Sequence, residues 1–373
     1  MTASAYPKIE ALQGLRGITA LTVVIGHSLL IFQAPAWFRK AEVLFNGQAA
    51  VVIFFVLSGF VLTLSLRRYQ TEATLDLSAF VIKRFFRLYP ALWVATIFGL
   101  AYYVVIHNRF TIPNPSEFFL LRYPEHRFTP LHVAASFAGA LAFLVPPVWS
   151  VFVEIIGSIF MPFIAWAAFR KHEWFGVGLA AMLTISLTIG GLTYYQFGMY
   201  LGYFMLGAAL CVLPPALKAS IAKLRRWRTP LILLTAAAIL PSQWLPWRPE
   251  FVTFYEACCA AAMIALIVYA DAGKEFLTSK PVVYLGDISY SVYLLHFTVL
   301  SLFAKLGAAA LAHYGLQPPG VAENIALAVV TVAVTIPLSG LMYRRVELPA
   351  IELGRRTISQ LGLARPRGAE VKI

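Results

Sequence analysis

The sequence predicts an all-α protein that crosses a membrane about ten times, with one further re-entrant or interfacial helix over 131–146. Composition is the first reason. The chain is 60% hydrophobic and only 13% charged, whereas soluble domains run at about 45–50% apolar and about 25% charged. Charge placement is the second. A net charge of +13 would by itself suit a nucleic-acid partner, but the cations fall in short runs between apolar stretches, the positive-inside pattern of membrane proteins. The three cysteines, Cys211, Cys258 and Cys259, sit inside apolar runs and form no disulfide framework. Met1 to Glu10 holds one lysine, and the apolar run that follows lacks a small-residue cleavage site, so no secretory signal is expected.

The first span, about 12–33, carries two cations, Arg16 and His27, eleven residues apart. At about 100° per residue they share a helical face, and at about 1.5 Å per residue they lie roughly 16 Å apart along the axis. Arg16 therefore marks a membrane edge and His27 lies near the midplane, where an ionisable group is a functional-site hypothesis by default. The second span, 47–66, contains FFVLSGF. Ser58-Gly59 reads either as a close-packing pair or as a place where backbone approaches a ligand beside His27. Ahead of the third span, 88–107, the loop KRFFRLYP places Arg84 and Arg87 three residues apart, on one face if helical.

Residues 131–146 are apolar but short for a crossing. The 149–169 span opens on Trp149, Ser150 and Glu154, with Glu154 about 8 Å in from the outer side. It reads as a helix-dipole carboxylate or as a catalytic or substrate-binding one. Spans follow at 174–192, 198–213, 229–245 and 252–270, the last with Tyr255 and Glu256. The 287–310 span opens LGDISYSVYLLHF, with Asp287 as helix N-cap and Ser289, Tyr293 and His296 at i, i+4, i+7. The last span is 322–343. All are taken as helices because a chain in lipid must satisfy its own backbone hydrogen bonds.

With 131–146 not crossing, five basic loops fall on the side of the N-terminus: Arg67/Arg68/Lys83/Arg84/Arg87, Arg170/Lys171, Lys218/Lys223/Arg225/Arg226/Arg228, Lys274/Lys280 and Arg344/Arg345/Arg355/Arg356. Both termini are thus expected in the cytoplasm. The longest outer loop, about 108–148, carries Pro113, Pro115, Arg122, His126 and Arg127, and long loops of this kind are often functional. Trp37, Trp244 and Trp247 fit an aromatic belt at the outer ends.

Chemistry-bearing residues thus line a polar path. Arginines at the inner edge suit a polyanion, because guanidinium grips phosphate bidentately. His27 suits a general base. Such a path serves a transporter, for example a flippase of a lipid-linked sugar, as well as an enzyme with two half-sites.

The ordered set LQGLRG followed by His27, then FFVLSGF, KRFFRLYP, VWSVFVE, LGDISYSVYLLH and the terminal VELPAIELGRR resembles the acyltransferase 3 family of integral membrane acyltransferases over essentially the whole chain. The resemblance implies about ten helices in one domain, 1–350, with a short basic tail, 351–373, in a bacterial inner membrane. It also implies transfer of an acyl group, commonly acetyl, from acetyl-CoA or another acyl-CoA to a hydroxyl of a glycan such as exopolysaccharide or lipopolysaccharide. On this likeness His27, Glu154 and His296 are catalytic, and Arg16, Arg84 and Arg87 hold the CoA phosphates. Ser58, Trp149, Ser150 and Tyr293 bind substrate. Three positions depart from the usual pattern: Gln13 where many members have aspartate, Ile155 where many have a second acid, and Thr298 where many have proline. No metal is expected, because the histidines are not at ligand spacing. The extracytoplasmic esterase-like domain fused to some members is not expected here.

Overall fold

The computed structural model describes residues 7–67, 77–122, 129–189 and 197–363. Among these residues there is no strand, only a single antiparallel bridge between Phe32 and Pro115. The helices are α1 (Pro7–Leu29), α2 (Ala36–Ala41), α3 (Gly47–Leu66), α4 (Leu77–Tyr102), α5 (Glu117–Arg122), α6 (Pro130–Phe137), α7 (Val148–Arg170), α8 (His172–Ile189) and α9 (Phe197–Cys211). They continue as α10 (Pro215–Lys223), α11 (Arg228–Ile239), α12 (Pro249–Ala270), α13 (Lys274–Leu277), α14 (Lys280–His313), α15 (Val321–Met342) and α16 (Leu348–Gln360).

Six helical stretches are long and apolar enough to cross a membrane: Gly47–Leu66, Leu77–His107, Val148–Arg170, Pro249–Ala270, Lys280–His313 and Val321–Gln360. Tyr200–Cys211 and Pro215–Trp244 pass that test only as a pair, bent by 86°. This is a membrane protein with fewer unambiguous crossings than the ten expected. The stretch of α1 that holds Gln13, Arg16 and His27 is not among the six: polar side chains set into it lower its apolarity. The sequence-predicted end of the fifth span, and Arg68, His126 and Arg127, lie outside the described residues, as does the tail beyond Leu363.

Several boundaries differ from expectation for identifiable reasons. The stretch KRFFRLYP is not a loop. It lies inside α4, which runs through Pro90, a residue that membrane helices tolerate when neighbours absorb the freed carbonyl. Asp287 is not an N-cap either. Pro281 starts α14 two turns earlier, after Ser279, and Asp287 instead accepts a hydrogen bond from Gln13 Nε2 at 2.7 Å. Of 131–146, only the start is helical. Thr129 caps α6 at His132 N, and residues 138–147 then run without helix past Gly139 at φ +73°. The first helix stops at Leu29. Beyond it Asn324 of α15 satisfies both backbone groups of Phe32, at 3.0 and 3.1 Å.

Two glycine-lined crossings set the frame. Gly17 of α1 lies against Gly286 of α14, and a Cβ on Gly286 would collide with the Gln13 carbonyl. From that crossing both helices run ten residues in the same direction to His27 and His296, about 15 Å on each, so the two histidines arrive level. At the second crossing, Cβ atoms on Gly59 and Gly207 would strike the carbonyl oxygens of Phe204 and Val56. Gly59→Leu is therefore expected to force α3 and α9 apart, at a cost of about 3 kcal/mol. Thermal unfolding in detergent checks this: a variant melting with wild type removes the close crossing.

Candidate functional site

The level histidines touch. His27 Nδ1 lies 3.0 Å from His296 Nε2, with the rings stacked at 5.2 Å. The tautomers follow from the backbone. His296 Nδ1 sits 2.8 Å from the Tyr293 carbonyl oxygen and 3.2 Å from that of Val292. Carbonyls only accept, so His296 carries its proton on Nδ1 and its Nε2 is an acceptor. His27 must then donate from Nδ1, which leaves the Nε2 lone pair free. That nitrogen faces Gly47, where a Cβ would stand 3.7 Å away. Phe118 and Phe297 pack the His27 ring at 5.2 and 5.5 Å.

His27 and Gly47 both line a cavity of about 870 Å³, to which Trp149, Tyr200, Trp244 and Tyr293 give aromatic walls. The non-helical segment after α6 supplies part of one side, through Leu141 and Pro146. It fits closely because Gly99 of α4 has no side chain to meet the Leu144 carbonyl.

On the other side of Tyr293 lies a small cavity of about 40 Å³, lined by Arg16, Ser58, Ser150, Glu154 and Ser289. Tyr293 and Val51 line both cavities. Ser150 Oγ has one proton and donates it to the Pro147 carbonyl at 3.0 Å, so the Tyr293 hydroxyl donates to Ser150 at 2.6 Å. That bond forms a thin partition between the cavities. The Ser289–Tyr293–His296 face of α14 thus runs from the arginine end to the histidine end.

The arginines are arranged through carboxylates. Arg84 Nη2 meets Glu154 at 2.7 Å, and Arg87 Nη1 meets Glu347 at 2.6 Å. Glu347 also accepts from Ser291 Oγ at 2.5 Å. Glu154 is therefore not beside the histidines, where the sequence placed it as a group orienting the acceptor or the imidazole. The reason lies upstream: residues 138–147 bring the chain inward before α7 begins, so Val148 starts buried and Glu154 ends beside Arg84. The Nε of Arg84 is buried with no partner among the described residues, which fits a missing anionic oxygen.

Sequence reasoning missed Glu347 and Ser291. Glu347 stands after Arg344 and Arg345 and reads as part of a basic loop; only the packing of α16 on α4, where Gly354 meets Phe86, brings it to Arg87. Glu256 is fully buried and accepts from Ser242 at 2.6 Å and from Asn46 at 3.3 Å. It holds the outer ends of α3 and α12 together and does not reach the histidines.

His296 acts on the cavity through His27, as a positioning residue. His296→Leu is expected to lower kcat by about tenfold to hundredfold, the usual range for losing an orienting partner, and to move the acid limb of the pH–rate profile. His296→Gln, whose amide oxygen still accepts from Nδ1–H, should keep more of the rate; equal losses in the two variants would reduce His296 to packing.

Comparison with known proteins agrees with this geometry. The family described as "Acyltransferase domain" matches residues 9–344. "Peptidoglycan O-acetyltransferase OatA" of Listeria monocytogenes is 25% identical over 370 residues, covering 91% of this chain and 55% of that protein; the chain spans little more than half the length of this relative. "Acyltransferase MdmB" of Streptomyces mycarofaciens is 27% identical over 385 residues, covering 94% of this chain and 93% of that protein. "Protein 2 in picA locus" of Rhizobium radiobacter is 30% identical over 166 residues, 42% of this chain and 82% of that protein. No solved structure matches.

Proposed function

The chain belongs to this acyltransferase family, and from that premise we propose that it moves an acetyl group from cytoplasmic acetyl-CoA to a hydroxyl of an extracytoplasmic glycan. One observation carries the reading: a histidine pair whose free nitrogen, His27 Nε2, faces a wide cavity. The printed name of OatA, an O-acetyltransferase acting on peptidoglycan, supports a hydroxyl acceptor on a cell-surface glycan.

In this mechanism His27 Nε2 takes the proton from the acceptor hydroxyl as its oxygen attacks the thioester carbonyl. The tetrahedral intermediate collapses, the C–S bond breaks, and the imidazolium returns the proton to the leaving thiolate. The products are an acetyl ester and free CoA. Arg16, Arg84 and Arg87 attract the donor's phosphates, with Glu154 and Glu347 aiming the last two. A cavity of about 40 Å³ has room for little more than one or two waters, so the nucleotide stays outside it. Only the pantetheine arm enters, and it reaches His27 when the Tyr293–Ser150 partition opens.

About ten crossings with both termini cytoplasmic belong to the same proposal; reporter fusions that put the 218–228 loop outside would overturn that orientation. The donor assignment is tested by titrating acetyl-CoA into the purified protein in detergent. Wild type and His27→Ala bind and Arg84→Gln binds more weakly if the reading holds. No binding to wild type sinks it.

A further inference from the structure

The wide cavity has a charge character of its own. Arg39 of α2 and Arg122 of α5 both line it, and among the described residues lining it there is no aspartate or glutamate; its other polar groups include Gln48, Gln243 and the Tyr293 hydroxyl. This differs from the opposite end of the path, where Arg84 and Arg87 each face a glutamate. Arg122 is also mounted close to the reacting nitrogen. Its guanidinium lies 4.9 Å over the Phe118 ring, and that ring is 5.2 Å from the imidazole of His27. One aromatic ring therefore separates a cation from the base. Arg39 and Arg122 are, moreover, exceptions to the charge rule that collects the basic loops on the cytoplasmic side.

We propose that this cavity selects an anionic acceptor: a sugar bearing a phosphate or a carboxylate, held by Arg122 and Arg39 while a neighbouring hydroxyl points at His27 Nε2. The inference rests on reading the wide cavity as the acceptor's. Guanidinium groups match both oxyanions in geometry, through two parallel N–H···O bonds. The aromatic walls offer the sugar ring a flat apolar surface, and about 870 Å³ lies toward the upper end of ligand-sized cavities. A neutral sugar would leave two cations facing the cavity without an anion to meet.

Trp149 and Trp244 line the cavity, so their fluorescence reports binding without any acyl transfer. Purified protein in neutral detergent is titrated with methyl glucoside, methyl glucuronide and glucose 1-phosphate. At least one charged sugar is expected to bind roughly tenfold or more tightly than the neutral one, the increment of a charge-assisted hydrogen bond. Arg122→Gln and Arg39→Gln should shrink that advantage to about twofold or less while acetyl-CoA titration stays at its wild-type value. Gain with the glucuronide alone identifies a carboxylate sugar, and gain with glucose 1-phosphate alone a phosphate; either supports the proposal. It is overturned if the three sugars bind alike, if the Arg122 and Arg39 variants keep the preference, or if Arg84→Gln removes it instead, which would put the anion at the donor end. Because the readout is binding, anion selectivity that persists in a protein releasing no CoA would fault the transferase reading and leave this one standing.

Discussion

His27→Ala is expected to lower kcat by about three orders of magnitude, within the range of a lost general base, with acetyl-CoA binding within about twofold of wild type. The split follows from placement. His27 touches His296, Phe118 and Phe297 and is absent from the cavity that Arg16 lines, so deleting its ring leaves the donor cluster untouched. His27→Gln keeps a hydrogen-bonding side chain with negligible basicity, and should be nearly as inactive. Thiol release from acetyl-CoA in the presence of acceptor reads kcat, and calorimetric titration reads binding. A variant retaining about a tenth of the wild-type rate would remove His27 from the proton-transfer role.

The second large effect is on stability. Arg87→Ala is expected to cost about 3–5 kcal/mol, the range for stranding one half of a buried ion pair. Glu347 is 1% exposed, and without Arg87 its charge keeps only the Ser291 hydroxyl. Arg87→Ala/Glu347→Gln should recover much of the loss, since no charge is then stranded. The Arg84–Glu154 pair is more open, with side chains 18% and 24% exposed, so Arg84→Ala should cost only about 1 kcal/mol. Thermal melting of the four proteins in one detergent checks the order. If Arg87→Ala melts with Arg84→Ala, the buried pair does not tie α16 to α4 as described. The contrast also selects the donor-binding probe: Arg84 can be changed in a folded protein, whereas loss of binding in an Arg87 variant would be ambiguous.

What the sequence made legible is what depends on spacing along one helix. Arg16 and His27 sit on one face of α1, Ser289, Tyr293 and His296 on one face of α14, and the apolar runs announce a membrane. The helix-period arithmetic does not contain the meeting of His27 with His296. That depends on the Gly17–Gly286 crossing, which sets two parallel helices at the same height. Ser58-Gly59 was posed as packing or ligand approach, and the two residues divide the roles: Gly59 crosses α9, while Ser58 lines the small cavity. Glu154 was misplaced because depth was counted from a helix start assumed to lie at the membrane edge, and the chain enters the fold before that helix begins. Glu347 was hidden in a run of arginines because its partner comes from a helix more than two hundred residues away in sequence.

The central claim is that one chain joins a donor on one face of the membrane to an acceptor on the other through His27. Purified protein is reconstituted in vesicles of known orientation. Acetyl-labelled CoA is supplied only on the cytoplasmic face, and methyl glucoside, methyl glucuronide, glucose 1-phosphate and N-acetylmuramic acid only on the opposite face. The account predicts labelled acetyl ester on at least one sugar with wild type, none with His27→Ala, and none when donor and acceptor faces are exchanged. Ester formed equally by His27→Ala, or label crossing as intact acetyl-CoA with no ester formed, would contradict it.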